Sequence, residues 1–219
     1  MTRTLLLDLD GTLVDTVPDI AAALNRLMLQ RGLAVFSEPQ VAAMVGDGVA
    51  VLVERAFAAR DRQPDATAVA DMSADYTANV AVDSRLYPDV RPVLEALADQ
   101  GWGLAVCTNK PELAARRLLA ATGLLPLLRA VGGGDSFAKR KPDPAHLLGT
   151  LARAGGQSDA AVMLGDHRND VAAARAAGMP SIFAAWGYGA AGMGEGSAGI
   201  ANTVADAAAI ANRLLPEGA

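Results

Sequence analysis

The chain has little of what several large classes of protein depend on. It has one cysteine, Cys107, so no internal disulfide can form. A lone cysteine set in an apolar run suits a reduced, cytoplasmic setting. Two histidines and that single cysteine cannot build a Cys/His cage for a soft metal. Positive charge is not in excess: 19 Lys and Arg stand against 24 Asp and Glu, interspersed, for a net charge of −5. No basic stripe of the kind that grips nucleic acid is present, and Lys139-Arg140-Lys141 is too short to make one. Long hydrophobic runs are also missing. The N-terminal apolar stretch is broken at Asp8 and reads as neither a signal peptide nor a membrane span. Nucleic acid and membrane are therefore not expected partners, and both a monomer and a homodimer are compatible with the sequence.

What is present is a large apolar fraction, 52% of 219 residues. That is enough for one large domain or for a core with a smaller insert. Four short apolar runs, Thr4–Asp10, Gly103–Thr108, Ala160–Gly165 and Ser181–Ala185, end in polar or glycine-rich residues. Arg129–Gly132 is a weaker fifth. Near-continuous apolar character predicts strands covered on both faces, as in a parallel sheet. Helical patterns alternate with them at Asp89–Gln100, Glu112–Ala121, Pro144–Ala154 and Asn169–Ala177, three of them closed by Gly101, Gly123 and Gly178. The expected fold is α/β, a doubly wound, Rossmann-like parallel sheet with ligands at the carboxyl ends of its strands.

Residues 16–83 break the alternation. Leu24, Leu27 and Met28 share a helical face, as do Val49, Leu52, Val53 and Phe57, and no strand pattern intervenes. This stretch reads as a helical insert, leaving residues 1–15 and 84–219 as the core. The glycine-rich segment from Trp186 to Gly199 reads as a loop.

The strand ends carry the chemistry. The first ends at Asp8-Leu9-Asp10, the next at Thr108-Asn109, and a later one at Gly165-Asp166, with Asp170 four residues on. Lys141-Pro142 follows the "GGGDSF" stretch. In a parallel sheet these converge on one edge. Clustered carboxylates need a cation, and an all-oxygen donor set favours a hard ion such as Mg²⁺. That inventory suits phosphoryl transfer: Asp8 as nucleophile, Asp10 as acid and base, and Thr108 and Asn109 bonding phosphoryl oxygens. Lys141 offsets their charge. Asp166 holds the metal, with Asp170 supporting it or the lysine.

"DLDGTLVD", "CTNK", "KPDP" and "GDHRND" resemble, in order and spacing, the four motifs of the haloacid dehalogenase superfamily phosphatases. The resemblance implies metal ligands at Asp8, at the Asp10 main-chain carbonyl and at Asp166. It also implies that residues 16–83 form a four-helix cap that chooses the substrate. Within the superfamily, "DTVPDIAAALN", "VGDG", "YPDV" and "TNKP" are most similar to phosphoglycolate phosphatases, which implies hydrolysis of 2-phosphoglycolate. His167 departs from that group, which more often has a small polar residue there.

Other readings compete at several positions. Lys139 is a rival to Lys141, which the following proline restricts more tightly. Asp170 could instead serve as a first-turn acid of a helix. His146 is expected on a helix surface, His167 in solvent or touching substrate, and Cys107 in the core. Among cations of the insert, Arg55 is the candidate partner for a substrate carboxylate, near the "GDG" at 46–48, with Arg26 and Arg85 as competitors. "GYGAAG" at 187–192 matches a dinucleotide-binding pattern only in letters, because no convincing helix follows it. For the whole chain the alternatives are a sister phosphatase or mutase acting on a sugar phosphate, and a phospho-receiver signalling module. The receiver needs neither Asp10 nor an insert.

Overall fold

In the computed structural model, which describes residues 2–217, the apolar runs do form a parallel sheet. β1 (Thr4–Leu7) leads, and the short β2 (Val14–Asp15) follows it. Four helices come next: α1 (Val17–Gln30), α2 (Glu38–Ala42), α3 (Val49–Ala58) and α4 (Ala68–Ala78). β3 (Arg85–Leu86) brings the chain back. The alternation then runs α5 (Val90–Asp99), β4 (Gly103–Cys107), α6 (Glu112–Ala121), β5 (Ala130–Gly132) and α7 (Pro144–Arg153). It closes with β6 (Ala161–Gly165), α8 (Arg168–Ala176), β7 (Ser181–Ala184), β8 (Gly199–Ala201) and α9 (Val204–Leu214). The six-stranded sheet has the order β5-β4-β1-β6-β7-β8, and every pairing in it is parallel. The weak run at Arg129–Gly132 is a true strand.

β1 is the centre of this order, with β4 on one side and β6 on the other. Successive elements wind away from it in both directions, so the loops leaving β1, β4 and β6 diverge and open a crevice. The unbroken leucines of β1 serve two layers. Leu5 and Leu7 pack with Leu94, Leu118 and Ile210 of α5, α6 and α9, whereas Leu6 packs with Leu147, Leu151 and Ala173 of α7 and α8. Cys107 lies fully buried in the second layer, where burial pushes its thiol up to about 12. Core packing is its role, as expected.

The last two elements were not read from the sequence. The glycine-rich stretch ends in β8 rather than in loop, and α9 follows it. β8 is three residues long with Ile200 exposed, too short to show a period. α9 does carry a start signal: Thr203 accepts from the Asp206 N–H, and Asp206 in turn accepts from the Thr203 N–H.

The helices between β2 and β3 share an apolar interior. Leu24, Leu27, Met28, Leu52, Val53 and Phe57 are all buried there, and Val49 is half-buried. The chain leaves and re-enters the sheet at one place, because β2 and β3 pair antiparallel with Val14 opposite Leu86. Asp19, in the first turn of α1, fastens the return. Its buried carboxylate accepts from the N–H groups of Val82 (3.1 Å), Asp83 (2.9 Å) and Ser84 (2.9 Å) and from Ser84 Oγ (2.6 Å). Among the described residues no helix is long and apolar enough to cross a membrane.

Asp19→Ala leaves the buried N–H and hydroxyl of Ser84, and the part-buried N–H groups of Val82 and Asp83, without their acceptor, so it should destabilise the fold by about 2–4 kcal/mol. Urea unfolding of the variant beside the parent protein measures this directly.

Candidate active site

Asp8 directly follows β1, and its N–H donates to Leu164 O at 2.9 Å, so the strand's extended path carries it past the sheet edge. The chain then turns sharply: the N–H groups of Leu13 and Val14 both donate to Leu9 O. Gly11 makes the turn possible. It has φ +79°, and a Cβ there would sit 2.4 Å from a carboxylate oxygen of Asp166. The turn thus packs the Asp10 loop directly on the end of β6.

The carboxylates converge. Asp8, Asp166 and Asp170, all buried, each offer one oxygen, and these oxygens lie within 4.8 Å of one another. Lys141 stands among them, its Nζ 2.9 Å from Asp8 Oδ1 and 2.6 Å from Asp170 Oδ1. Asp8 Oδ1 meets that ammonium at ion-pair distance but without hydrogen-bonding geometry, and it has no other partner among the described residues. Asp166 accepts from Thr12 Oγ1 at 3.1 Å and from the Tyr188 N–H at 2.7 Å. Even so, burial, and then the charges of Asp8 and Asp170, push its pKa up to about 8. Burial works against the ammonium of Lys141, but Asp170 and Asp8 outweigh it and hold its pKa above the ordinary lysine range.

Asp10 sits apart from that trio. Its Oδ1 accepts from Thr16 Oγ1 at 2.8 Å and from Lys110 Nζ at 2.6 Å. Thr108 and Asn109 extend β4 to the same edge. The Asn109 side-chain amide donates to the carbonyls of Lys141 and Gly46, both at 3.0 Å. One bond holds the lysine loop, and the other reaches the stretch between α2 and α3. Asp8, Asp10, Thr108, Asn109, Lys110, Asp166 and His167 line one side of a cavity. Gly46–Val49, Leu52, Arg55, Met72 and Tyr76 line the other.

Several expectations need correction. His146 is not on a helix surface: it is fully buried, and its Nδ1 accepts the Lys141 N–H at 3.1 Å. The imidazole thus serves the lysine loop, which leads into α7. His167 is not solvated either. It is buried, its Nδ1 accepts the Asn169 N–H at 3.3 Å, and its ring lies against Gly46.

Asp170 combines the two roles that competed for it. It is the third residue of α8, where its Oδ2 accepts the His167 N–H at 3.0 Å, and it pairs with Lys141 through Oδ1. Lys139 is exposed. Arg55 lines the cavity, donating to Met44 O at 2.9 Å and pairing with Asp47 at 2.5 Å. Arg26 pairs with Asp75, and Arg85 is largely exposed near Asp83; neither lines the cavity.

Two residues of the site escaped the sequence reading. Lys110 lies in "CTNK" beside Asn109 and before Pro111, the same Lys-Pro setting that singled out Lys141. Tyr188 lies inside "GYGAAG"; its hydroxyl donates to Asp15 Oδ1 at 2.7 Å and accepts from the Thr16 N–H at 2.6 Å, at the start of α1. No periodicity marks it.

The family model of the haloacid dehalogenase-like hydrolases matches residues 5–184. A phosphoglycolate phosphatase of Agrobacterium fabrum is 43% identical over 185 residues, which cover 83% of this chain and 79% of that protein. One of Rhodospirillum rubrum is 43% identical over 196 residues, covering 86% and 81%. Among solved structures, a predicted phosphoglycolate phosphatase from Haemophilus somnus superposes with a TM-score of 0.86 at 30% identity, over 97% of this chain and 96% of that one. The chain belongs to the haloacid dehalogenase-like hydrolases.

The buried histidine gives a pH prediction. Burial, and then the charge of Lys141, hold the His146 pKa down at about 4, against an ordinary 6.5. Between these values the unfolded chain takes up a proton that the folded chain refuses. Stability present above pH 6.5 is therefore lost as the pH falls through about 4. His146→Gln, which can still accept the Lys141 N–H, should remove about 2–3 kcal/mol of the acid sensitivity between pH 7 and pH 4.5. Urea unfolding at the two pH values checks it.

Proposed function

We propose that the chain is a Mg²⁺-dependent phosphatase of small phosphomonoesters, working through an aspartyl-phosphate, with 2-phosphoglycolate as substrate. The observation that carries this reading is the trio Asp8, Asp166 and Asp170, its oxygens within 4.8 Å, with Lys141 among them. Its relatives that are phosphoglycolate phosphatases support the substrate.

The residues suit the ion. The donor set is entirely oxygen, Asp8 Oδ1 is buried without a hydrogen-bond partner among the described residues, and the pKa of Asp166 is raised by burial and then by its like-charged neighbours. Asp8, Asp166 and the main-chain carbonyl of Asp10 would hold Mg²⁺. Asp170 adds negative charge beside them and braces Lys141. When bound, the ion neutralises the carboxylates and the phosphoryl oxygens, so that one anion can approach another.

The protein groups then divide the work. The Thr108 hydroxyl and the Asn109 N–H bond phosphoryl oxygens, and the Lys141 ammonium balances their charge. Asp8 forms a bond to phosphorus as the ester P–O bond breaks. Asp10 gives its proton to the departing oxygen; Thr16 and Lys110 occupy its Oδ1, which leaves Oδ2 for that task. Asp10 next takes a proton from the water that attacks the aspartyl-phosphate, which frees phosphate and restores Asp8. Residues 16–83 act as the cap over the core of 1–15 and 84–219. They close the cavity during chemistry and open for product, with Arg55 shaping its wall.

Phosphate release from a panel of small esters tests the reading. Wild type should hydrolyse 2-phosphoglycolate with Mg²⁺ and stop on chelation. Asp8→Asn should lower kcat by about a thousandfold or more with its circular dichroism unchanged. Normal turnover by that variant, or an isomerised sugar phosphate without phosphate release, would contradict the reading.

A further inference from the structure

Lys110 is a lysine with donors to spare. It is buried, with 6% of its surface exposed, and lines the cavity. Its ammonium has three donors. One reaches Asp10 Oδ1 at 2.6 Å, and Nζ also stands 4.4 Å from the centre of the Tyr76 ring. Tyr76, from α4, is 6% exposed and lines the same cavity, yet its hydroxyl finds no acceptor among the described residues, and the neighbouring ammonium can only donate. A buried hydroxyl left without an acceptor is destabilising unless something supplies one. A buried ammonium and an unpaired hydroxyl, side by side in a cavity, ask for an anion.

The other cations of the cavity are better matched. Arg55 is met by Asp47 and Met44 O, and Lys141 by Asp8 and Asp170. Position also matters. Lys110 touches Asp10, the group read above as proton donor to the leaving oxygen. An anion held by Lys110 therefore lies on the leaving-group side of the site, where a carboxylate close to the ester oxygen would fall.

We propose that Lys110 Nζ and Tyr76 Oη form a carboxylate subsite that selects esters carrying a carboxylate on the ester-bearing carbon. This rests on the phosphatase reading and gives its substrate preference a physical origin. The planar carboxylate offers one oxygen to the ammonium and one to the hydroxyl. The subsite joins the core, through the residue after Asn109, to the helical segment, through α4. A substrate lacking the carboxylate leaves the Tyr76 hydroxyl unpaired, and that is the source of discrimination.

Ethyl phosphate keeps the P–O–C–C skeleton of 2-phosphoglycolate and replaces its carboxylate by a methyl group. The readout is the ratio of kcat/KM for 2-phosphoglycolate to that for ethyl phosphate. Tyr76→Phe keeps the ring against Lys110 and removes only the hydroxyl. It should lower the ratio about tenfold, chiefly through KM for 2-phosphoglycolate. Lys110→Met should lower the ratio about a hundredfold or more. Thermal melts establish that both variants fold, and Tyr76→Phe suffices if Lys110→Met does not. A ratio unchanged in Tyr76→Phe overturns the subsite. Equal efficiency of wild type on both esters also overturns it and leaves the phosphatase reading standing. A wild type inert on every ester overturns both.

Discussion

Mutual repulsion among buried carboxylates is the constraint around which this site is organised. Asp8, Asp166 and Asp170 are held closer than like charges tolerate, and Asp10 stands on the same turn as Asp8. Two buried lysines answer them: Lys141 between Asp8 and Asp170, and Lys110 on Asp10. The trio of carboxylates against the one ammonium of Lys141 leaves two negative charges, a deficit that one divalent cation would match. Burial, and then the charges of Asp8 and Asp170, raise the pKa of Asp166.

The fold makes this crowding possible because the carboxylates come from separate strands. β1 and β6 are neighbours, and each releases its carboxylate at the same edge. The backbone pays for no detour: Asp8 and Asp166 continue their strands, and Asp170 is one turn into α8. The helical segment shares in the arrangement through specific bonds. Asn109 donates to Gly46 O, Asn169 to Asp47 at 2.7 Å, and the Tyr188 hydroxyl grips the start of α1. Tyr188 also donates its own N–H to Asp166, so the carboxylate trio and the base of the helical segment share one residue.

The sheet was legible because its strands are covered on both faces, which writes burial into the sequence as unbroken apolar runs such as "TLLL" and "GLAVC". The carboxylates were legible because strand ends fall where those runs stop. β8 and the β2–β3 pair were not, since two or three residues carry no period. His146 and His167 were misplaced for a related reason. Helical spacing says which side of α7 faces the sheet, but not that the loop before it delivers a backbone N–H needing an acceptor. His167 is covered by Gly46, which lies more than a hundred residues earlier, and no local pattern encodes such a contact. Lys110 was missed although its Lys-Pro context matched that of Lys141; its partner Tyr76 arrives from α4, and only the tertiary structure shows the two together.

Calorimetric titration of Mg²⁺ into the protein and into Asp166→Asn tests most directly whether the carboxylate cluster is a cation site. Wild type should bind one Mg²⁺, with a Tm that rises as the ion is added, and Asp166→Asn should bind at least about tenfold more weakly. Failure of wild type to bind Mg²⁺, or binding of equal strength in the variant, would contradict that picture.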